Sequence, residues 1–410
     1  MSLLPLRSNN AYAGIAKQSV QGTAVTPSTF PRWVDGTKIE MDAKLEDVWE
    51  GDGSRRLSFI LKNEQQVKIQ HMFYPRPNEA AFFESAAMGS GSDTYTAPAT
   101  GTSLTTSGAG NTAGSTTLTI SASTGLGASG SAQLVINPGT ATEEVVTVTT
   151  PGTVNAFTIT APATGLKYTH AASQVVEGAA QHVLVDTVDG SYYTWEFGLG
   201  GTSGIILRVK DCKCNSIKRS SKSGTLLAYE TEWSGLTTAV QASALTPSFD
   251  MHSPFIFQQG VWTLDGVTTG DALYVDMFDI AQKNNLDVVV TERLTPDASI
   301  FGNINVDVST QWIFQNSQRI NEVYFGGATG TADAQAVATG TLVLLFTQPD
   351  NFHTVQYSVP TMNYTKATVP EPKHDGKAWR LPVTASSTSN MSANTYLLQT
   401  TVTDTTYSAN

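Results

Sequence analysis

Six histidines, two cysteines and one dense run of carboxylates are the side chains of this sequence best suited to chemistry, and their spacing decides what they can do. His71, His170, His182, His252, His353 and His374 are scattered with no i, i+4 pair, so no helix face presents two imidazoles to a metal. Cys212 and Cys214 stand two apart with no second cysteine pair to complete a zinc site. On a strand they point to one face without disulfide geometry, which reads as two reduced packing residues of a chain made in a cytoplasm. No G-x-S-x-G elbow and no local cysteine-protease signature is present. Gly125-Leu126-Gly127-Ala128-Ser129-Gly130 fits the dinucleotide pattern G-x-G-x-x-G, which requires a helix N-terminus to receive the pyrophosphate. Gln133 to Ile136 follows instead and reads as a strand, so the glycines are assigned to a turn. The expectation is a chain with no catalytic residue, no cofactor and no metal.

The carboxylate run is Glu40, Asp42, Glu46, Asp47, Glu50 and Asp52, broken by Lys44 and Trp49. It lacks the spacing and terminal Glu of a calcium loop. Either it is a solvated strand pair with its connecting loop, or Asp42, Glu46, Asp47, Glu50 and Asp52 meet a neighbouring subunit or line a passage that repels an anionic polymer. Basic residues number 24 against 35 acidic, a net charge of -11, which is the opposite of what a phosphate-gripping protein needs. The negative excess is uneven, with 7 basic and 15 acidic groups in residues 246–410 and equal numbers of each, 10 and 10, in residues 1–89. This suggests two surfaces in different surroundings, or drift on a solvated one.

The elements that position these groups follow from composition and periodicity. Only 14% of residues are charged, 40% are hydrophobic, and Gly, Ser and Thr are abundant, the profile of an all-β protein with many turns. The apolar stretch in Met1 to Arg7 is too short for a signal-peptide core. The longest run of large apolar residues, Leu342 to Phe346, is far short of the roughly 20 needed to span a membrane, so a soluble chain is expected.

An internal repeat organises the rest. Val67 to Gln70 and Ile304 to Asp307 alternate apolar and polar residues, 237 positions apart. A helix-like segment follows each, Asn78 to Met88 and Ser317 to Phe325. Asn78 and Asn316 or Ser317 are the expected N-caps, and Gly89 and Gly326 the terminators. Phe83, Ala86 and Ala87 match Ile320, Val323 and Tyr324 at the same offset, which places both sets in a helix core. Farther on, Leu207, Val209, Cys212 and Cys214 match Tyr357, Val359, Met362 and Tyr364 at an offset near 150, so the first copy carries about 87 extra residues. The expected organisation is a discontinuous first unit (1–91 and 179–245), an inserted Ser/Thr/Gly-rich β module (92–178) and a second unit (246–410). Strands are expected in the module at Thr117 to Ile120, Gln133 to Ile136, Val145 to Val148 and Phe157 to Ile159. Thr102 to Gly114 reads as an ordered turn or a mobile strand.

These segments resemble the tail tube proteins of long-tailed bacteriophages. The resemblance rests on Ala13 to Pro27, the Gly53-Ser54-Arg55-Arg56 strand start and the Asn78 to Gly89 helix in the first copy. In the second it rests on Phe257 to Gly266, Arg293, Leu342 to Phe346 and Val355 to Thr361 through Gly376 to Val383. It implies β-sandwich or barrel-like units, each flanked by one helix, in rings of six units stacked head to tail around a channel for DNA. With two units per chain the ring would be a homotrimer with pseudo-sixfold symmetry. Partners would be further copies of itself and the other phage tail proteins (tape measure, tail tip, terminator), with transient non-specific passage of DNA and no membrane. The resemblance places the chain in the virion tail after synthesis in the host cytoplasm, with acidic residues of inward strands facing the channel. No enzymatic role is expected. The alternative is a virion-surface or adhesin-like protein whose β module contacts carbohydrate or a host.

Overall fold

Alternation builds nearly every strand, as where Val67, Ile69, His71 and Phe73 are buried while the intervening Lys68 is exposed. The computed structural model describes residues 11–48, 59–96, 104–107, 110–121, 130–138, 140–150, 156–178, 180–200, 204–265, 267–268, 275–313, 318–327, 330, 338–368, 378–389 and 396–404. The chain begins with β1 (Tyr12–Lys17), the long hairpin of β2 (Lys38–Val48) and β3 (Phe59–Phe73), α1 (Pro77–Met88) and β4 (Asp93–Thr96). The next six strands are β5 (Leu104–Thr105), β6 (Thr117–Thr119), β7 (Gly130–Ile136), β8 (Glu144–Thr150), β9 (Ala156–Ala161) and β10 (Val175–Glu177). The chain continues through β11 (Ala180–Val185), β12 (Tyr193–Leu199), β13 (Ile205–Lys222), β14 (Ala228–Gly235) and β15 (Thr237–Val240). Then come β16 (Gly260–Leu264), β17 (Val267–Thr268), β18 (Val275–Lys283), β19 (Asp287–Val289), β20 (Ala298–Ile300), β21 (Asn305–Ile313) and α2 (Gln318–Phe325). The last strands are β22 (Thr339–Thr347), β23 (Thr354–Ala367), β24 (Arg380–Ser387) and β25 (Gln399–Asp404). The fold is all-β, with antiparallel sheets and two short α-helices among the described residues.

Strand pairing has the same connectivity in both halves. In the first, β1, β12, the N-terminal part of β13 and β15 are neighbours, and β2, β3, β14 and the C-terminal part of β13 form a second row. In the second, β16, β22, the start of β23 and β25 are neighbours, and β18, β21, β24 and the end of β23 form the other row. The long strands β13 and β23 each serve both rows. Their bulges, between Cys214 and Ser216 and between Tyr364 and Lys366, lie at the 150-residue offset seen in the sequence. The strand match is two residues off the expected register. Ile69 faces Trp233 as Val308 faces Ala385, so Val67 has the place of Val306, not Ile304. A slip of two keeps every side chain on its own face, which is why the alternation concealed it.

The two halves are joined through β13. Its C-terminal part also pairs with β18, from Ser216 opposite Lys283 to Lys222 opposite Met277, so β2-β3-β14-β13-β18-β21-β24-β23 is one eight-stranded sheet. Helix α1 lies over this junction, packed on β13 of the first half and on β25 and β23 of the second. Phe83, Ala86 and Ala87 are fully buried, with the Phe83 ring 4.3 Å from Phe73 and in contact with Trp195 and Trp233. Burial of a phenylalanine side chain of this kind contributes about 2–3 kcal/mol. The helix starts one residue before the expected cap. Arg76 is the N-cap, Pro77 fills the first turn, and the Asn78 N–H donates to Asp250 Oδ2, so the capping carboxylate comes from elsewhere in the chain. Gly89 and Gly326 end the two helices with φ of 114° and 69°, conformations that favour glycine.

Helix α2 departs from expectation. Ile320 is half-buried, but Tyr324 is 57% exposed and Glu322 is buried instead. The helix packs chiefly on β23, whereas α1 is enclosed by both halves, so among the described residues part of the α2 surface is left uncovered. The Val323 side chain, Asn316, Ser317, Glu50, Asp52 and Gly125 to Ser129 fall outside the described positions.

Strands β5 to β10 form a separate sheet in the order β5-β10-β7-β8-β9-β6, with its own core of Leu118, Leu134, Ile136, Val146, Val148, Phe157 and Val176 among others. Its boundary is later than expected. Residues 93–96 pair with β11 of the body, with Thr96 opposite Gln181. His182 on β11 sits 2.7 Å from Asp93 of β4 and 3.4 Å from Asp404 of β25. Burial disfavours its charged form, but hydrogen bonds and charge from Asp404 and Asp93 outweigh that and raise its pKa from 6.5 to about 10.

Two predictions follow from this arrangement. Replacing residues 97–180 by an Asn-Gly turn, which suits a two-residue hairpin between Thr96 and Gln181, should leave a body that unfolds in one cooperative transition by circular dichroism. Non-cooperative melting would show that the module is part of the body's core. The second concerns pH. A histidine whose pKa is raised on folding stabilises fully below its unfolded value and loses that contribution as pH rises through the folded one. The urea midpoint should therefore fall between about pH 6.5 and 10, and His182→Gln should flatten that decline.

Candidate functional site

A sheet that ends in unpaired N–H and C=O groups is either protected or extended by another chain. The eight-stranded sheet has two such ends. β2 pairs with β3 alone along its 11 residues, and past Tyr364 the end of β23 pairs with β24 alone, as far as the described residues show. The exposed apolar residues Met41 (59%) and Leu45 (60%) lie along β2.

The junction inside the chain gives the geometry by which these ends would meet. Position by position, β23 corresponds to β13, and β2 corresponds to β18 because Ile39 faces Ile69 as Ile280 faces Val308. Ser216 faces Lys283 at the internal junction, and the equivalent residues at the open ends are Lys366 and Asp42. Both are exposed and of opposite charge. Ile217 faces Gln282, and the equivalents are Ala367 and Met41. The helices tell the same story. β25 is buried where α1 covers it, while β15, in the same place in the first half, is exposed, with Val240 at 71%. Among the described residues, one end thus offers an uncovered helix and a strand edge, and the other an uncovered strand and a strand edge.

The carboxylate run is placed by this frame. Asp42 is opposite Gln66 on the sheet face turned away from α1. Glu46 and Asp47, opposite Leu61 and Ile60, lie beyond a bulge in the part of the hairpin that continues after its counterpart β18–β21 has stopped. The sheet face turned away from α1 carries charge of both signs. On the face away from α1 the carboxylates are interleaved with cations: Lys38 with Glu40 at 2.7 Å, Lys44 with Glu64, and Lys218 with Asp279 at 2.8 Å. Gln70 donates to Glu230 at 2.6 Å on the same face. A groove of about 480 Å³ on this face is bordered by Lys38, Glu40, Lys68 and Glu232.

Beneath the internal junction lies a buried ion pair that the sequence did not signal. Arg219 of β13 donates to Glu84 of α1 at 2.5–3.1 Å and to Gln282 of β18 at 3.2 Å, and Gln282 donates to the Ala87 carbonyl at 2.9 Å. Thr400 of β25 also donates to Glu84. Cys212 and Cys214 are buried free thiols, and burial pushes both pKa values far above the ordinary range, which favours the protonated form. Two of the histidines whose spacing offers no metal pair do converge: His252 and His353 come together with Glu143 from distant segments. The signal was local, since Asp250 precedes His252 by two positions and Asp350 precedes His353 by three.

No protein-family model matches the chain, and no curated protein matches it. The geometry of the edges, the open face and the junction therefore carries the functional argument. Glu84→Gln should leave Arg219 as a buried cation without its counter-charge and lower unfolding free energy by about 3–5 kcal/mol, measured by urea denaturation. Combining it with Arg219→Met should recover part of the loss.

Proposed function

We propose that this chain is a structural subunit that closes with two further copies into a ring around a channel, as the tail tube subunit of a long-tailed bacteriophage. The observation that carries the reading is that the β13–β18 junction, complete inside the chain, has the counterparts of both its halves at the two ends of the sheet, unpaired among the described residues. A chain whose end matches its own beginning joins head to tail, and such contacts close into rings when the rotation allows.

Each copy contributes eight strands, so three contribute twenty-four. Strands about 4.8 Å apart and tilted by about 40° would then enclose a barrel roughly 48 Å across at the backbone, ample for a DNA duplex after side chains are allowed for. The interleaved face away from α1 is assigned to the channel. Lys38, Lys44 and Lys218 have carboxylate neighbours, which breaks up the cationic stripe that phosphates would bind and release counterions from. The β2–β3 hairpin, with exposed Leu45, Ile60, Leu61, Glu46 and Asp47, is assigned to contact between successive rings. Tape measure, tail tip and terminator proteins complete the proposed partners, and the virion tail is the proposed location. No helix among the described residues is long and apolar enough to cross a membrane.

The test uses charge reversal at the predicted contact. Lys366→Glu should place two acidic groups face to face and prevent rings, and the double variant Lys366→Glu with Asp42→Lys should restore them, scored by light scattering and negative-stain microscopy. Tyr324→Glu should also block assembly while leaving the circular dichroism of the subunit unchanged, since the residue is exposed in the single chain. Wild-type protein that stays monomeric at high concentration, or rings indifferent to all three variants, would overturn the reading.

A further inference from the structure

We propose that Glu143, His252 and His353 form a site for a divalent transition-metal ion, best suited to Zn²⁺, that clamps the inserted module to the second half of the body. The inference is independent of tube assembly. Glu143 comes from the turn between β7 and β8 of the module, His252 from the segment preceding β16, and His353 from the turn between β22 and β23. Their donor atoms all lie within 4.8 Å of one another. His252 Nε2 is 2.5 Å from Glu143 Oε1 and His353 Nε2 is 3.8 Å from the same oxygen. Tetrahedral zinc, with bonds of about 2.0–2.1 Å, separates its donors by about 3.3 Å. The two distances bracket that value, so small side-chain movements suffice.

The surroundings are those of a ligand set and not of a chance cluster. Each imidazole directs Nδ1 to its own carboxylate, His252 to Asp250 at 2.5 Å and His353 to Asp350 at 2.6 Å. A carboxylate on Nδ1 fixes the tautomer whose Nε2 lone pair faces the metal and makes that nitrogen a better donor. The carboxylates are themselves held. Asp250 accepts from the His252 and Asn78 N–H groups, and Asp350 accepts from those of Phe352 and His353. His353 is fully buried, yet its Nε2 has no hydrogen-bond partner among the described residues. A buried polar atom left unsatisfied calls for an explanation, and a bound ion supplies one. A groove of about 370 Å³ bordered by Thr140, Met251, His252 and Asp350 gives a route in and room for a water as fourth ligand. Two imidazoles and one carboxylate favour zinc over the hard cations calcium and magnesium.

A proton on His252, shared between Asp250 and Glu143, is the competing occupant. Burial opposes it and the two carboxylates favour it, with the balance at about 10. Zinc must displace that proton to bind, and the experiment separates the two states. Full-length protein is treated with EDTA, dialysed and titrated with ZnCl₂ by calorimetry, with bound metal counted by mass spectrometry. One Zn²⁺ per chain is expected, and Co²⁺ in its place should give the visible absorption of a four-coordinate site. Glu143→Gln and His353→Gln should each weaken Zn²⁺ binding at least 10-fold with circular dichroism unchanged. Should His353→Gln fail to fold, Glu143→Gln, on a partly exposed turn, carries the comparison alone. Wild-type protein that takes up no zinc at micromolar concentrations, or that binds it no more tightly than Glu143→Gln, would overturn the proposal.

Discussion

The pairing of β13 with β18 over a buried Arg219–Glu84 pair is the constraint on which the molecule depends. Both side chains are completely out of solvent, and removing two charges from water costs several kcal/mol per ion unless the geometry compensates. Compensation needs both halves. Glu84 and Arg219 belong to the first, and Gln282 and Thr400, which add hydrogen bonds to Arg219 and to Glu84, belong to the second. A hydrogen bond of 2.5 Å between the hydroxyls of Tyr229 and Tyr357 crosses the same boundary. Neither half can bury this network without the other, so the two rows of strands are held in one sheet at one register.

That register has consequences at the periphery. A sheet assembled from two rows of one connectivity, joined by one kind of contact, exposes at its ends the two surfaces that the contact consumed in the middle. Long open edges are a hazard, and proteins blunt them with charge, bulges or cover. β2 carries Lys38, Glu40, Asp42 and Lys44 and a bulge after Lys44, which discourages indiscriminate pairing while leaving a matched edge acceptable. Met41, Val240 and Tyr324 are large and exposed in the same regions, where an ordinary surface has no use for them.

The readability of the sequence followed the range of the interactions involved. Period-2 alternation and Gly89 and Gly326 are local signals, and the strands and helix ends came from them. The all-β class came from composition. What failed was set by partners distant in the chain. Asn78 reads as a cap because no neighbour in sequence reveals that Asp250 supplies the carboxylate. Tyr324 reads as a core residue by analogy with Ala87, but among the described residues the strands that enclose α1 have no counterpart around α2. The two-residue slip between Val67 and Val306 was invisible because it preserves the side-chain face. His252 and His353 were dismissed on helical spacing, a test that applies to one element and not to two turns and a module brought together by folding.

The charge of the open face shows how a global quantity misleads about a local surface. A net charge of -11 suggests a repulsive wall, yet on the sheet face away from α1 Glu40, Glu64 and Asp279 stand beside Lys38, Lys44 and Lys218. Exposed pairs of this kind add little stability. Their effect is on what the surface binds. Favourable contact with a phosphate backbone comes largely from lysines releasing condensed counterions, and a lysine already beside a carboxylate has less charge to contribute. A strongly negative wall would also exclude DNA, but it would raise the electrostatic cost of filling the bore. In the proposed channel a balanced mosaic avoids both, because neither sign dominates over a Debye length of about 8 Å at physiological salt. The wall then requires no net charge to let a polyanion pass, only that its cations and anions stay interleaved, and the fixed cross-strand register of β2, β3, β13 and β18 keeps them so.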